Sequence, residues 1–188
     1  MTMVFYDFEF TRKRQRTTPV SLGMVFEEGK KQFYAEFTDY DTTQVDEWLE
    51  DNILNNLTLK EKPDGYYNCR DGITEIKGDI KHIVTFMGGL CTWLESLEYQ
   101  ITMASFQSSY DWVLFEELFR KAGVEFPKNV NPFPYDIATL YQECGYNPNY
   151  DDFAKEAFLR IEDRSKKHNA LYDAQVAKKI YFKLKDKS

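Results

Sequence analysis

The sequence predicts an α/β fold in which helices flank a mixed β-sheet, and two observations carry this prediction. The N-terminal third contains three strand-like segments in succession, at 3–9, 19–27 and 32–38, which are rich in aromatic and β-branched residues. The remaining chain alternates helical and strand-like segments, which is typical of parallel strands connected by helices. We therefore expect a three-stranded antiparallel meander joined to parallel strands, with the first strand in the centre.

Turn and capping residues set the limits of the first elements. The polar, glycine-containing stretch EEGKK at 27–31 predicts a hairpin turn between the second and third strands. Thr42 or Thr43 is suited to cap a helix over about 44–54. Residues 55–78 contain KPDG and RDG, and they predict an irregular insertion.

The second half of the chain is mostly helical. Helices are expected over about 79–97, from near Asp111 to just before Gly123, over 150–160 and over about 169–185. The segment QITMASF at 100–106 predicts a strand, and FPYDIATLYQECG predicts a short strand that leads into a helix closed by Gly145. There is no internal repeat, and we expect a single domain over 1–188.

Composition limits the class of protein. The chain has 188 residues, of which 43% are hydrophobic and 29% charged, as is ordinary for a soluble domain with a substantial core. The net charge of −7 argues against a tight non-specific duplex binder, because phosphate neutralisation drives that kind of affinity. An enzyme that holds a few nucleotides through a local site and cations remains compatible with this charge.

The cysteines, the N-terminal residues and the lengths of the apolar runs indicate where the protein is located in the cell. Cys69, Cys91 and Cys144 are odd in number and lack CxxC spacing, so neither a zinc site nor a disulfide framework is predicted. The start MTMVFYDFEF lacks the basic region and cleavage site of a signal peptide. No run approaches the roughly 18 apolar residues of a membrane span. We therefore expect a cytoplasmic protein with no membrane partner.

Two carboxylates, Asp7 and Glu9, end the otherwise apolar first strand, VFYDFEF. Residues two apart on a strand point to the same face, about 7 Å from each other. Two like charges this close on a buried strand repel each other and resist desolvation, unless they face solvent or a cation lies nearby. Sites in sheets of this class lie at the carboxyl ends of the parallel strands, which is where both residues are expected.

The last helix carries a third carboxylate on its apolar side. At about 100° per residue, one stripe of this helix contains Ala170, Ala174, Ala177, Ile180, Tyr181 and Leu184. Asp173 falls inside that stripe. Taken alone, it is better explained by a position near the rim with a backbone or basic partner. Together with Asp7 and Glu9 it predicts a site for a divalent cation, since oxygen-only ligands suit Mg²⁺ or Mn²⁺. His168, one of two histidines, precedes Asp173 by five residues.

The motifs FYDFEF and HNALYDA resemble the first and third motifs, DxE and HxAxxD, of the DEDDh 3′–5′ exonuclease family. Within that family the chain looks closest to the polyadenylate-directed exoribonuclease AS group. The second motif requires an aspartate at a helix start, and SSYDWVLFEELF offers Asp111. Many relatives place an asparagine and an aromatic residue before this aspartate, whereas Ser108, Ser109 and Tyr110 stand here. Asp136 in FPYDIATL is therefore a competing candidate.

The resemblance implies a ribonuclease H-like fold and two-metal phosphodiester hydrolysis with two Mg²⁺ ions, for which Mn²⁺ can substitute. It implies that Asp7, Glu9 and Asp173 hold the ion that binds the attacking water. Asp7 and Asp111 would help hold the second ion near the leaving oxygen. His168 would be the general base, a role that suits an imidazole because its ordinary pKa is near neutrality. The products would be nucleoside 5′-monophosphates from the 3′ end of single-stranded RNA.

Candidate substrate contacts stand next to the motifs. Phe10 follows Glu9 and Trp112 follows Asp111, and each is suited either to stack on a terminal base or to pack in the core. The basic runs RKRQR at 12–16 and RSKK at 164–167 are suited to steer a phosphate backbone, although solvated surface charge is the better explanation for most of these side chains.

Three alternatives to an exoribonuclease remain open at this point. A DNA 3′–5′ exonuclease would share the chemistry, because no residue can be assigned to a 2′-hydroxyl from the sequence. A catalytically silent module that binds RNA or a partner subunit would keep the fold. An unrelated α/β domain with coincidental motifs predicts that the four aspartate and glutamate candidates lie far apart. A homodimer is expected from the family resemblance only.

Overall fold

The computed structural model describes residues 2–12, 16–28, 30–147 and 167–186. The chain opens with three strands, β1 (Thr2–Phe10), β2 (Pro19–Phe26) and β3 (Gln32–Phe37). β2 pairs antiparallel with both β1 and β3, so the predicted meander is confirmed. Every residue of β2 is buried, as expected of a strand covered on both faces.

A short helix, α1 (Glu47–Asn52), follows the meander between two single turns of 3-10 helix at Thr42–Gln44 and Leu54–Asn56. The expected threonine cap is wrong. Asp46 caps α1, because its Oδ1 accepts a hydrogen bond of 2.9 Å from the Leu49 amide. The expected helix over 44–54 is correspondingly shorter.

The segment expected to be irregular contains a hairpin of β4 (Tyr67–Arg70) and β5 (Ile73–Gly78). Asp71 and Gly72 form its turn with φ of 54° and 85°, the conformation that makes Asp-Gly a hairpin signal. β5 pairs parallel with β3. The expectation of irregular structure is therefore wrong for 67–78.

One long helix was expected over 79–97, and the structure has two, α2 (Ile80–Thr85) and α3 (Leu90–Glu95). The break lies at Gly88 and Gly89. A Cβ at Gly89 would lie 2.3 Å from the carbonyl oxygen of Ile83, so the second helix can start this close to the first only at a glycine.

The remaining elements are β6 (Ile101–Ser105), α4 (Ser108–Ala122), β7 (Tyr135–Asp136), α5 (Ile137–Glu143) and α6 (Ala170–Lys185). β6 lies parallel to β1 and to β7. The helix expected over 150–160 lies outside the described residues. No helix within the described ranges is long and apolar enough to cross a membrane.

Among the described residues seven strands form one sheet, in the order β4-β5-β3-β2-β1-β6-β7. The α/β prediction of a meander joined to parallel strands is thereby confirmed. β1 lies between β2 of the meander and the parallel strands β6 and β7, although β2 is the middle strand of the seven. Val4, Tyr6 and Phe8 of β1 pack in a cluster with residues of α2, α3 and α4, whereas Met3 and Phe5 pack with residues of α5 and α6. Because strand residues alternate between faces, Asp7 and Glu9 belong to the face that α6 covers.

Candidate active site

Three carboxylates meet where α6 begins above the carboxyl end of β1. One oxygen atom from each of Asp7, Glu9 and Asp173 lies within 4.8 Å of the other two. Each side chain is half-buried or buried, with Glu9 at 9% exposure. Carboxylates this close repel one another unless a cation neutralises them, and a set of oxygen donors fits a hard divalent ion such as Mg²⁺ or Mn²⁺.

A glycine in β2 allows this convergence. Gly23 is the partner of Asp7 in the β1–β2 register. A Cβ built at Gly23 would lie 2.2 Å from the carbonyl carbon of Ala170 and 2.2 Å from the amide nitrogen of Leu171. The first turn of α6 therefore rests directly on the backbone of the sheet, which only glycine permits.

The start of α6 is held by its cap. The Asn169 side chain accepts a hydrogen bond of 3.1 Å from the Tyr172 amide. Ala170, Ala174 and Ala177 are buried against the sheet, as the predicted stripe requires. Asp173, in the first turn, is thereby placed above the two carboxylates of β1.

Asp111 and Asp136 both line the same cleft, but their surroundings differ. Asp111 is 5% exposed in the first turn of α4. Asp136 caps α5: its Oδ1 accepts from the Ala138 amide at 3.0 Å, and its Oδ2 accepts from the Thr139 hydroxyl at 3.2 Å. The backbone amide of Gln107 also donates to Oδ1 at 3.2 Å. Because both Asp136 oxygens accept hydrogen bonds from groups around the start of α5, Asp111 is the better candidate for the fourth carboxylate.

The negative charge of Asp111 affects the pKa of the nearby Tyr6 hydroxyl. Tyr6 is fully buried on the opposite face of β1, against Phe115 of α4. Burial raises the pKa of Tyr6 well above its usual value, and the negative charge of Asp111 raises it further. The phenol therefore stays protonated near this carboxylate.

His168 stands at the edge of the carboxylate cluster, directly before α6. Its Nδ1 is 3.9 Å from Oε1 of Glu9, and its side chain is 22% exposed. Its ring meets that of Trp48 edge-on, with 5.3 Å between ring centroids. The backbone of His168 has a φ of 60°, a left-handed conformation that non-glycine residues adopt where surrounding structure holds them.

The cluster opens into a cleft of about 870 Å³ with aromatic walls. Phe10 stacks on Tyr110 there, with ring centroids 5.8 Å apart and planes inclined by 21°. Trp48, 55% exposed, lies on another part of the wall. A cleft of this size accommodates one or two nucleotides with bases against aromatic faces.

The structure places Trp112 against the core, which is one of the two positions that the sequence left open. Its ring packs against Phe115 and Phe126, each at 5.8 Å between centroids, and it is absent from the described cleft lining. Tyr110 and Trp48 take its place in the wall. Tyr110 adjoins the second motif, so its place in the cleft wall could have been predicted from the sequence. Trp48 is distant from every motif, and no feature of the sequence indicates that it lines the cleft. The basic runs at 12–16 and 164–167 fall mostly outside the described residues.

Comparisons with known proteins identify the family of this chain. A family model described as the 3′–5′ exoribonuclease Rv2179c-like domain matches residues 2–184. No curated protein sequence matches the chain. Among solved structures, the Neurospora crassa Pan2 catalytic unit (protease and nuclease domain) is similar, with a TM-score of 0.47 and 18% identity. That alignment covers 98% of this chain and 27% of the Pan2 chain, so the chain spans about a quarter of that protein's length. Since the family model covers nearly every residue, the chain belongs to the 3′–5′ exoribonuclease Rv2179c-like family.

Proposed function

We propose that this protein removes nucleoside 5′-monophosphates, one at a time, from the 3′ end of single-stranded RNA by metal-dependent hydrolysis. The observation that carries the proposal is the meeting of the Asp7, Glu9 and Asp173 oxygens within 4.8 Å of one another, with His168 at their edge. The exoribonuclease family model supports RNA over DNA.

The carboxylates are suited to bind divalent cations. Asp7, Glu9 and Asp173 would hold one ion, and Asp111 with Asp7 would hold a second. When bound, such ions supply positive charge to the entering and leaving oxygens of an in-line displacement. This donor set explains why like charges are placed together at the end of a buried strand.

His168 is suited to act as the general base. Its imidazole removes a proton from the attacking water, whose oxygen forms a bond to the terminal phosphorus. The bond from that phosphorus to the 3′ oxygen of the preceding nucleotide breaks, and this oxygen takes a proton from solvent. The Glu9 carboxylate, 3.9 Å from Nδ1, stabilises the imidazolium that His168 becomes.

The aromatic wall orients the strand for this reaction. Phe10 and Tyr110 lie beside the carboxylates and offer stacking faces that any base can use. Stacking of this kind contributes about 1–3 kcal/mol per base. Bases must be unpaired to use such faces, which favours a single strand over a duplex.

A time course with 5′-labelled single-stranded RNA and its DNA counterpart tests the proposal. Each strand is incubated with Mg²⁺, Mn²⁺ or EDTA, and the Asp7→Ala variant serves as the control without a complete ion site. We expect shortening from the 3′ end that requires metal, is faster on RNA and is lost in Asp7→Ala. Faster cleavage of DNA would assign the DNA exonuclease instead, and no cleavage of either strand would support the silent binding module. Light scattering of the same sample tests the homodimer that the family resemblance implies.

A further inference from the structure

The cleft is strongly acidic although its proposed substrate is a polyanion. Among the residues that the structure describes, six carboxylates line it: Asp7, Glu9, Asp46, Asp111, Asp136 and Asp173. Bound cations would neutralise those at the hydrolysis site, but they would leave the outer cleft negative near Asp46. Among the described residues that line the cleft, Arg12 is the one permanent cation.

Arg12 is held in place before any substrate binds. Its Nε donates to the carbonyl oxygen of Gln44 at 3.1 Å, and its Nη2 donates to Oδ2 of Asp46 at 3.0 Å. The Gln44 side chain is itself tied down, because its Oε1 accepts from the Thr11 hydroxyl at 3.0 Å and its Nε2 donates to Asp41 at 2.7 Å. A guanidinium positioned in this way loses little conformational freedom when it binds a ligand.

Part of the guanidinium is available to a ligand. Arginine has five N–H donors, and the hydrogen bonds between described residues occupy two of those on Arg12. The side chain is 33% exposed, and its partner Asp46 is 49% exposed. An ion pair this open to water is easily exchanged for another anion.

Resting on the function proposed above, we propose that Arg12 binds a backbone phosphate of the RNA upstream of the scissile bond, in competition with Asp46. Arg12 lies three residues beyond Glu9, roughly 10 Å along an extended chain. The guanidinium therefore lies outside the carboxylate cluster, which suits it to a phosphate of the retained strand and not to the scissile phosphate. Its planar fork of donors matches two phosphate oxygens.

Asp46 then sets the strength of this contact. It shares the guanidinium through Oδ2, while its Oδ1 caps α1 by accepting from the Leu49 amide. Asparagine at this position would keep the cap and remove the competing charge. Arg12→Ala and Asp46→Asn should therefore change RNA affinity in opposite directions, which a merely structural role for the Arg12–Asp46 pair does not predict.

The test compares Arg12→Ala, Arg12→Lys and Asp46→Asn with Arg70→Ala, a control at an exposed arginine on the outermost strand. Anisotropy of labelled single-stranded RNA in Ca²⁺ gives affinity at several salt concentrations. Hydrolysis in Mg²⁺ is followed on RNA and on the p-nitrophenyl ester of thymidine 5′-monophosphate, which has no upstream phosphate.

We expect Arg12→Ala to weaken RNA binding about tenfold and to reduce the salt slope by about 0.7, the value for one single-strand phosphate. Its loss of hydrolysis should be several times larger on RNA than on the ester. Arg12→Lys should recover the salt slope, and Asp46→Asn should tighten RNA binding a few-fold. An unchanged salt slope in Arg12→Ala, or weaker binding in Asp46→Asn, would overturn the inference. If the wild type hydrolyses neither substrate, the proposed function fails, while the binding data still decide the role of Arg12.

Discussion

Substituting Gly23 by alanine tests whether close packing of α6 on the sheet assembles the catalytic cluster. The new methyl carbon would lie 2.2 Å from the Ala170 carbonyl carbon, whereas ordinary contacts begin at 3.4 Å. The start of α6 must therefore move by about 1 Å, since the atoms it meets are backbone. Overpacking of this kind costs about 1–3 kcal/mol of unfolding free energy. For a chain of this length that corresponds to a fall in Tm of about 3–10 °C.

The catalytic effect of Gly23→Ala should exceed its effect on stability. Asp173 sits in the turn of α6 that is displaced, so its oxygen moves away from those of Asp7 and Glu9. A misplacement of about 1 Å in a catalytic group commonly costs about 100-fold in rate. We expect kcat on single-stranded RNA to fall by about this factor at a temperature where the variant is still folded.

Thermal melts and RNA hydrolysis, each measured with and without Mg²⁺, provide the assay. Gly123→Ala is the matched control, since Gly123 ends α4 with a φ of 73° and an added Cβ would meet no atom within 4 Å. The control should lose about 1 kcal/mol from backbone strain and retain its activity. A folded Gly23→Ala variant with wild-type kcat would refute the argument, as would an equal loss of activity in Gly123→Ala.

Three further predictions concern single side chains. Asp111→Asn should reduce hydrolysis by at least about 100-fold with little change in Tm. Asp136→Ala should lose the α5 cap, which lowers the free energy of unfolding by about 1 kcal/mol, and should keep most of its activity. The reverse pattern in thermal melts and RNA assays of both variants would reassign the fourth carboxylate. His168→Ala should lower kcat by about 10²–10⁴ while Mg²⁺ still raises Tm, and an unchanged rate would mean that another base acts. Burial raises the pKa of Glu36 from 4.5, so the folded state disfavours its ionised form. The free energy of unfolding of the wild type should therefore fall, relative to that of Glu36→Gln, as the pH rises through that raised pKa. Urea titrations between acidic and neutral pH measure both free energies, and the same pH dependence in the two proteins would contradict the prediction.

Local patterns in the sequence determined the sheet and three of the carboxylates. The strands of the meander consist mostly of aromatic and aliphatic residues, so their type follows from neighbouring residues alone. The alanine stripe of α6 predicts which side is buried, and Asp173 lies on that stripe. The Asp-Gly turn of the β4–β5 hairpin is equally local in sequence, yet β4 is too short and too exposed to be predicted with it.

Long-range contacts decided the rest of the site. Asp111 and Asp136 are both aspartates at the start of a helix, so the sequence does not distinguish them. The tertiary structure shows that Asp136 caps α5, whereas Asp111 is buried in the cleft. Trp112 and Tyr110 are two residues apart in sequence, but helical rotation turns one into the core and the other into the cleft wall.

The sequence by itself determined which chemical groups the candidate site contains, because the DxE and HxAxxD motifs specify carboxylates and an imidazole at fixed spacings. Only the tertiary structure decided how these groups meet. The missing side chain of Gly23 brings α6 onto the sheet, and the hydrogen bonds of Arg12 with Gln44 and Asp46 join segments more than thirty residues apart. Such contacts depend on the distance between backbones that are remote in sequence, which no local pattern of residues encodes.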